Sequence, residues 1–236
     1  MPDYQKLEGQ FREILGLKQR PVAVSFARER PERVEKFAGA EPSGCSFWRL
    51  AARGRVFYTE PADHYNCPIG AHTHKIELPA GRAHELPDIL RTMTGLGYLK
   101  MEEVPGIPVL SETPRFILYA PLSETPADPD VVLLAAVPGR LMLLQEAAIR
   151  AGAGPNLPLL ARPTCIAIPA AMSGGVVTSA GCIGNRVYTD LAEDELYSAI
   201  PGRALESVAG ALDTIATANA ALAEYHRSRR DKLATA

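Results

Sequence analysis

The longest uninterrupted apolar run in the chain is residues 131–137, Val-Val-Leu-Leu-Ala-Ala-Val. It falls far short of the ~20 residues that a membrane-spanning helix needs, so it predicts a strand and not a span. Other β-type stretches stand apart from it. Residues 21–26 alternate after a proline start, residues 56–59 form a second short run, and residues 116–120 a third. Helical spacing fills the intervals. Tyr4, Leu7, Phe11, Ile14 and Leu15 mark one apolar face over residues 3–17, and residues 45–52, 83–96 and 140–151 also read as helices. Helices and strands therefore interleave, which predicts an α/β layer fold, with a mixed α+β arrangement as the alternative.

The chain has 236 residues, 47% of them hydrophobic and 22% charged, enough apolar material for a core without disulfide staples. Its 20 prolines and 19 glycines crowd between elements, at 105–108, 121–129 and 152–158. None of these stretches is long or Ser-rich enough to act as a tether, so residues 1–236 are expected to form a single domain. The formal net charge of −2 gives no bias toward nucleic acid or an anionic membrane surface. The first residues carry acids and no apolar block, so neither a secretory signal nor a transit peptide is read there, and a cytoplasmic protein is expected. From residue 206 to 233 the chain reads as one long C-terminal helix. Val208, Leu212, Ile215, Asn219 and Leu222 recur on it at steps of four and three, a seam that would serve either docking on the chain's own domain or a homodimer.

The four cysteines, Cys45, Cys67, Cys165 and Cys182, each lie in a Gly- or Pro-flanked turn. A structural cysteine usually replaces a small hydrophobe inside an element, whereas a turn presents a sulfur together with several backbone N–H groups that stabilise a thiolate. Proline directly after cysteine, as in Cys67-Pro68, also occurs in iron–sulfur ligand runs. No Cys-x-x-Cys is present, and structural zinc usually uses such paired ligands, so an iron–sulfur cluster on the four thiolates is preferred narrowly to zinc.

Residues 63–67, Asp-His-Tyr-Asn-Cys, are the densest polar patch. A helical turn there would place His64 and Cys67 on one face, where an imidazole would activate the thiol as a nucleophile. The bland reading is a capped turn with a structural histidine. His72 and His74 stand two apart, on one side of an extended segment if such a segment forms. Residues 173–186 hold four glycines, with Ser179, Asn185 and Arg186 among them, a composition that could cradle a small-molecule anion. They match neither the phosphate-binding nor the dinucleotide-binding glycine fingerprint.

Three blocks carry a family resemblance: residues 45–51, Cys-Ser-Phe-Trp-Arg-Leu-Ala; residues 64–70, His-Tyr-Asn-Cys-Pro-Ile-Gly; and residues 181–186, Gly-Cys-Ile-Gly-Asn-Arg, continuing through Tyr197, Ile200, Pro201 and Gly202. In this order they resemble the bacterial and archaeal family called domain of unknown function 169. The resemblance implies no particular activity. It does imply that Cys45, Cys67 and Cys182 belong to the segments by which the family is recognised.

Two functional expectations follow. The first is a metal-binding protein in which Cys45, Cys67, Cys165 and Cys182 hold an iron–sulfur cluster, or zinc as the alternative, with Asn66 and Arg186 supporting the ligands and Gly181, Gly184 and Asn185 contributing to the cofactor site. The second is a small-molecule enzyme in which Cys67 or Cys182 is the nucleophile, His64 the base, and residues 173–186 the anion cradle.

Overall fold

A computed structural model describes residues 2–154 and 163–234. Helix α1 (Tyr4–Leu15) is capped by Asp3, whose carboxylate accepts from the Lys6 N–H at 2.9 Å, and stops at Gly16, where a left-handed φ of 62° lets the chain turn back. Strand β1 (Val22–Ala27) follows, then α2 (Gly44–Ala52), β2 (Phe57–Thr59), the short α3 (Pro68–Thr73) and α4 (Glu85–Gly95). The second half runs β3 (Phe116–Pro121), β4 (Val131–Ala136), α5 (Pro138–Arg150), α6 (Ala167–Ser173), β5 (Val177–Ser179), α7 (Ile183–Thr189), β6 (Leu196–Pro201) and the long α8 (Leu205–Ala234).

The six strands form one sheet in the order β2-β3-β1-β4-β6-β5, every pair antiparallel. Of the two arrangements expected, this is the mixed α+β one. The apolar run is the reason the sheet lies in the middle. In β4, Val131, Leu133 and Ala135 face one core, while Val132, Leu134 and Ala136 face the other. A strand apolar at every position must be covered on both faces, and helices do so. Helices α1, α5 and α8 pack on the second core, and α2 and α6 lie on the first. The two cores share this one sheet, so the chain folds as one domain.

Most expected elements are found within a residue or two. The differences lie in the last third of the chain: β5 and β6 escape the periodicity argument, and residues 173–186, expected as one glycine-rich loop, are the end of α6, strand β5 and the start of α7. The loop expected at 152–158 runs into residues 155–162, which lie outside the described ones.

The seam on α8 divides in two. Val208 and Leu212 are fully buried against the chain's own α5 and α1, and Ile215 packs at the edge of the same core. Beyond it the helix projects, with Leu222 57% exposed. Leu212→Ala is therefore expected to lower unfolding free energy by about 2–4 kcal/mol and Leu222→Ala by less than ~0.5 kcal/mol, as read from urea midpoints. A large, concentration-dependent cost at Leu222 would instead show that a second copy covers the distal half.

Candidate functional site

All four cysteines line a single cavity of about 260 Å³. They reach it from four separate parts of the chain. Cys45 lies in the first turn of α2, behind the Ser43 cap. Cys67 is the residue that opens α3, and its Sγ accepts the Gly70 N–H at 3.3 Å. Cys165 sits in the turn Thr164–Ile166 that leads into α6, and Cys182 precedes α7, its own N–H donating to the Thr164 hydroxyl at 2.6 Å. The turns that frame these residues are thus helix beginnings, where free N–H groups gather.

Burial pushes the Cys45 thiol well up, and the sulfurs of Cys165, Cys67 and Cys182 push it further, while the nearby Asn185 amide works the other way. Burial likewise raises Cys165; Cys67 and Cys182 add to that, and the Thr73 hydroxyl opposes it. Cys67 is raised by burial too, against the N–H groups of Gly70, Gly44 and Ile69, which favour its thiolate. The four sulfurs are thus close enough to feel one another's charge. Among the described residues, no three Cys, His, Asp or Glu side chains are drawn together tightly enough to hold a single metal ion. Nor does any charged side chain appear among the described residues that line the cavity.

Gly70 lies in close approach to Cys67. A Cβ at this position would stand 3.0 Å from the Cys67 sulfur.

His64 does not serve Cys67. It ends the turn Pro61–His64, its Nε2 lies 2.9 Å from the Thr59 hydroxyl, and its ring packs 4.9 Å from Phe47 and 5.9 Å from His74. The same hydroxyl lies 3.3 Å from the Ile117 carbonyl, so Thr59 ties the His64 ring to strand β3. His72 and His74 do not share one side of an extended segment, because α3 and its C-terminal turn separate them, leaving His74 buried. Nδ1 of His74 is 2.9 Å from the Gly70 carbonyl and so donates to it, and its buried Nε2 has no partner. Burial lowers His64 to about 3, with His74 adding to the effect, and lowers His74 to about 4. Both rings are neutral in the fold.

The remaining expected site residues divide. Asn185 and Gly184 line the cavity. Asn66 is at its rim, but its amide points outward, donating to the Glu41 carbonyl at 3.1 Å and accepting from Arg82 at 3.3 Å. Gly181 serves the turn into α7 with a φ of 76°. Arg186 does not face an anion: its guanidinium donates to the carbonyls of Ala180, Ala192 and Glu195. Gly175 is packed so closely on Ala153 and Gly154 that an added Cβ would lie 2.3 Å from the Gly154 oxygen. Arg186 and Gly175 are thus occupied by the fold and not placed as parts of an anion cradle.

The cavity's opposite wall was not foreseen. Ile89, Leu90 and Met93 of α4, with Tyr98, Leu99 and Ile107 after it, close the space over the sulfurs. The signal was present as an apolar stripe at helical spacing in α4, but its destination was not.

Fold and site together define an α+β protein with a thiol-lined cavity on one face of an antiparallel sheet, uncharged among the described lining residues. The chain belongs to the family called domain of unknown function 169, described as an uncharacterised ArCR family, whose model matches residues 10–211. No curated protein and no solved structure matches it. No helix among the described residues is long and apolar enough to cross a membrane.

The buried neutral histidines set a pH dependence. Their folded pKa values lie below the ordinary value of ~6.5, so the unfolded chain binds more protons between about pH 4 and 6.5, and stability falls as pH drops through that window. The loss is expected to be on the order of 2 kcal/mol per histidine by pH 5. Urea midpoints at pH 7 and pH 5 read it directly. His64→Gln, which keeps a hydrogen-bonding group for Thr59, should flatten the slope by about one proton; an unchanged slope would locate the titration elsewhere.

Proposed function

We propose that the protein is a metal-binding protein whose Cys45, Cys67, Cys165 and Cys182 hold an iron–sulfur cluster, with a redox or structural role. The observation that carries this reading is four thiols from distant segments sharing one cavity whose described lining offers no cation. The thiolates of Cys45, Cys67 and Cys165 are disfavoured by burial and by neighbouring sulfurs. A bound cationic centre removes both penalties at once, and thiolates suit soft metals. An iron–sulfur cluster is preferred to zinc because the four thiols come from widely separated positions and not from the paired Cys-x-x-Cys ligands usual at structural zinc. Within such a centre the N–H groups of Gly70, Gly44 and Ile69 would stabilise the Cys67 thiolate, the Thr73 hydroxyl that of Cys165, and Asn185 that of Cys45.

The reactive-cysteine reading fares worse on the same observations. A nucleophilic thiol needs a base or a lowered pKa. His64 is neutral, bonded to Thr59 and turned into the aromatic core, while burial raises Cys67.

Protein expressed with an iron supply and purified anaerobically is expected to be brown, with broad visible sulfur-to-iron charge-transfer absorbance and acid-labile sulfide. Replacing any one of the four cysteines by serine should cut bound iron about tenfold, whereas Ser179→Ala should not. Because the thiols must lose protons to bind, iron retention should weaken as pH falls. Anaerobic protein free of both iron and zinc, or serine variants that keep full metal content, would remove the reading.

A further inference from the structure

The sulfurs occupy only part of the cavity. We propose that the remainder binds a small uncharged molecule with an apolar body and one amide- or alcohol-type group, seated beside the sulfur set and anchored by Asn185. The chemistry comes from two observations.

Asn185 is 1% exposed and lines the cavity, yet neither its Oδ1 nor its Nδ2 has a hydrogen-bond partner. A buried polar group left unpaired costs about 1–3 kcal/mol, and this side chain carries an unpaired acceptor and an unpaired donor together. A ligand group that accepts from Nδ2 and donates to Oδ1 removes both costs. The proximity of the amide to Cys45 does not satisfy it, because a neutral thiol is a weak partner.

The second observation is the wall. Ile89, Leu90, Met93, Leu99 and Ile107 present an aliphatic surface, and no charged side chain stands among the described lining residues. A phosphate, carboxylate or ammonium group would lose its hydration there with no counter-charge, which selects against ionic ligands. A cavity of about 260 Å³ admits a molecule of fragment size. Pockets of this make-up, mostly apolar with a few convergent polar groups, are the usual form of a small-molecule site. Only the ligand's adjacency to a metal centre rests on the proposed function; its binding does not.

Three molecules of nearly one shape test the class: benzamide, benzoate and benzamidinium. Binding to the full-length protein is measured by calorimetry and ligand-observed NMR, with metal content determined on the same sample. Benzamide is expected to bind, and each ion to bind at least about tenfold more weakly. Asn185→Ala should weaken benzamide about tenfold without loss of folding, because the only partner the deleted amide approaches among the described residues is the Cys45 sulfur, a weak one when neutral. Met93→Trp, on the half-buried wall, should abolish binding by filling the space. An absence of benzamide binding, equal affinity for the ions, or unchanged affinity in either variant would overturn the inference. If benzamide fails on metal-loaded protein, this inference falls and the metal reading stands. If benzamide binds protein that takes up no metal, the reverse holds.

Discussion

The site depends on how α2 is fixed to the sheet. Phe47 and Trp48 are both buried, Phe47 with its ring 5.5 Å from that of Tyr119 and 6.0 Å from that of Phe57, and Trp48 edge-on to Tyr197 at 5.5 Å. These aromatic contacts join a helix to strands β2, β3 and β6, so α2 has little freedom to roll or slide. Cys45 lies on the same short helix, just ahead of the two anchors. Helix α2 in turn touches α3, α7 and the turn Thr164–Ile166, the three places where the other thiols are attached. One helix, held by aromatic packing, therefore sets the position of all four sulfurs.

That geometry creates an electrostatic problem that the protein alone does not solve. Three N–H groups favour a thiolate at Cys67, yet its pKa is still raised, so burial outweighs them. Cys45 and Cys165, 6% and 5% exposed, have less compensation. Because the thiols of Cys45, Cys67 and Cys165 each respond to the charge of neighbouring sulfurs, every thiolate formed makes the next harder to form, and the protons leave in separated steps. Without a compensating charge the described lining favours neutral thiols. A cation bound among them would favour the thiolates, which would couple its uptake to release of protons.

How legible this was depended on local pattern more than on length: the three-residue β2 reads as a β-type run, whereas the six-residue β6 does not. The β4 run, the amphipathic α1 and the long α8 are strong periodic signals, and each is found where the pattern places it. Strand β5 has three residues and is defined only by its partner, with Val177 opposite Ala199 and Ser179 opposite Tyr197; no local pattern encodes such a pairing. The cysteines could be singled out because turn residues flank them, and the turns proved to be helix starts. What neighbouring side chains do was not legible. His64 and Cys67 are three residues apart, but Gly44 lies between their destinations: its N–H favours the Cys67 thiolate, while a Cβ on it would stand 3.6 Å from the His64 ring. Arg186 reads as an anion ligand by type, yet its guanidinium is taken up by the carbonyls of Ala180, Ala192 and Glu195, on the segments before and after α7. Residue type predicts capability, and only the fold decides which partner comes first.

The two sides of the cavity differ in how firmly they are built. The sulfur side stands on α2 and on the turn leading into α6, both packed on the sheet. The opposite side is α4, an 11-residue helix without one fully buried side chain, followed by an exposed Leu96 and Met101. Local opening free energy follows buried apolar contact, so α4 opens at lower cost than α2, which carries Cys45 and the two aromatic anchors. The aromatic clamp therefore holds its thiol more firmly than α4 holds its part of the cavity wall.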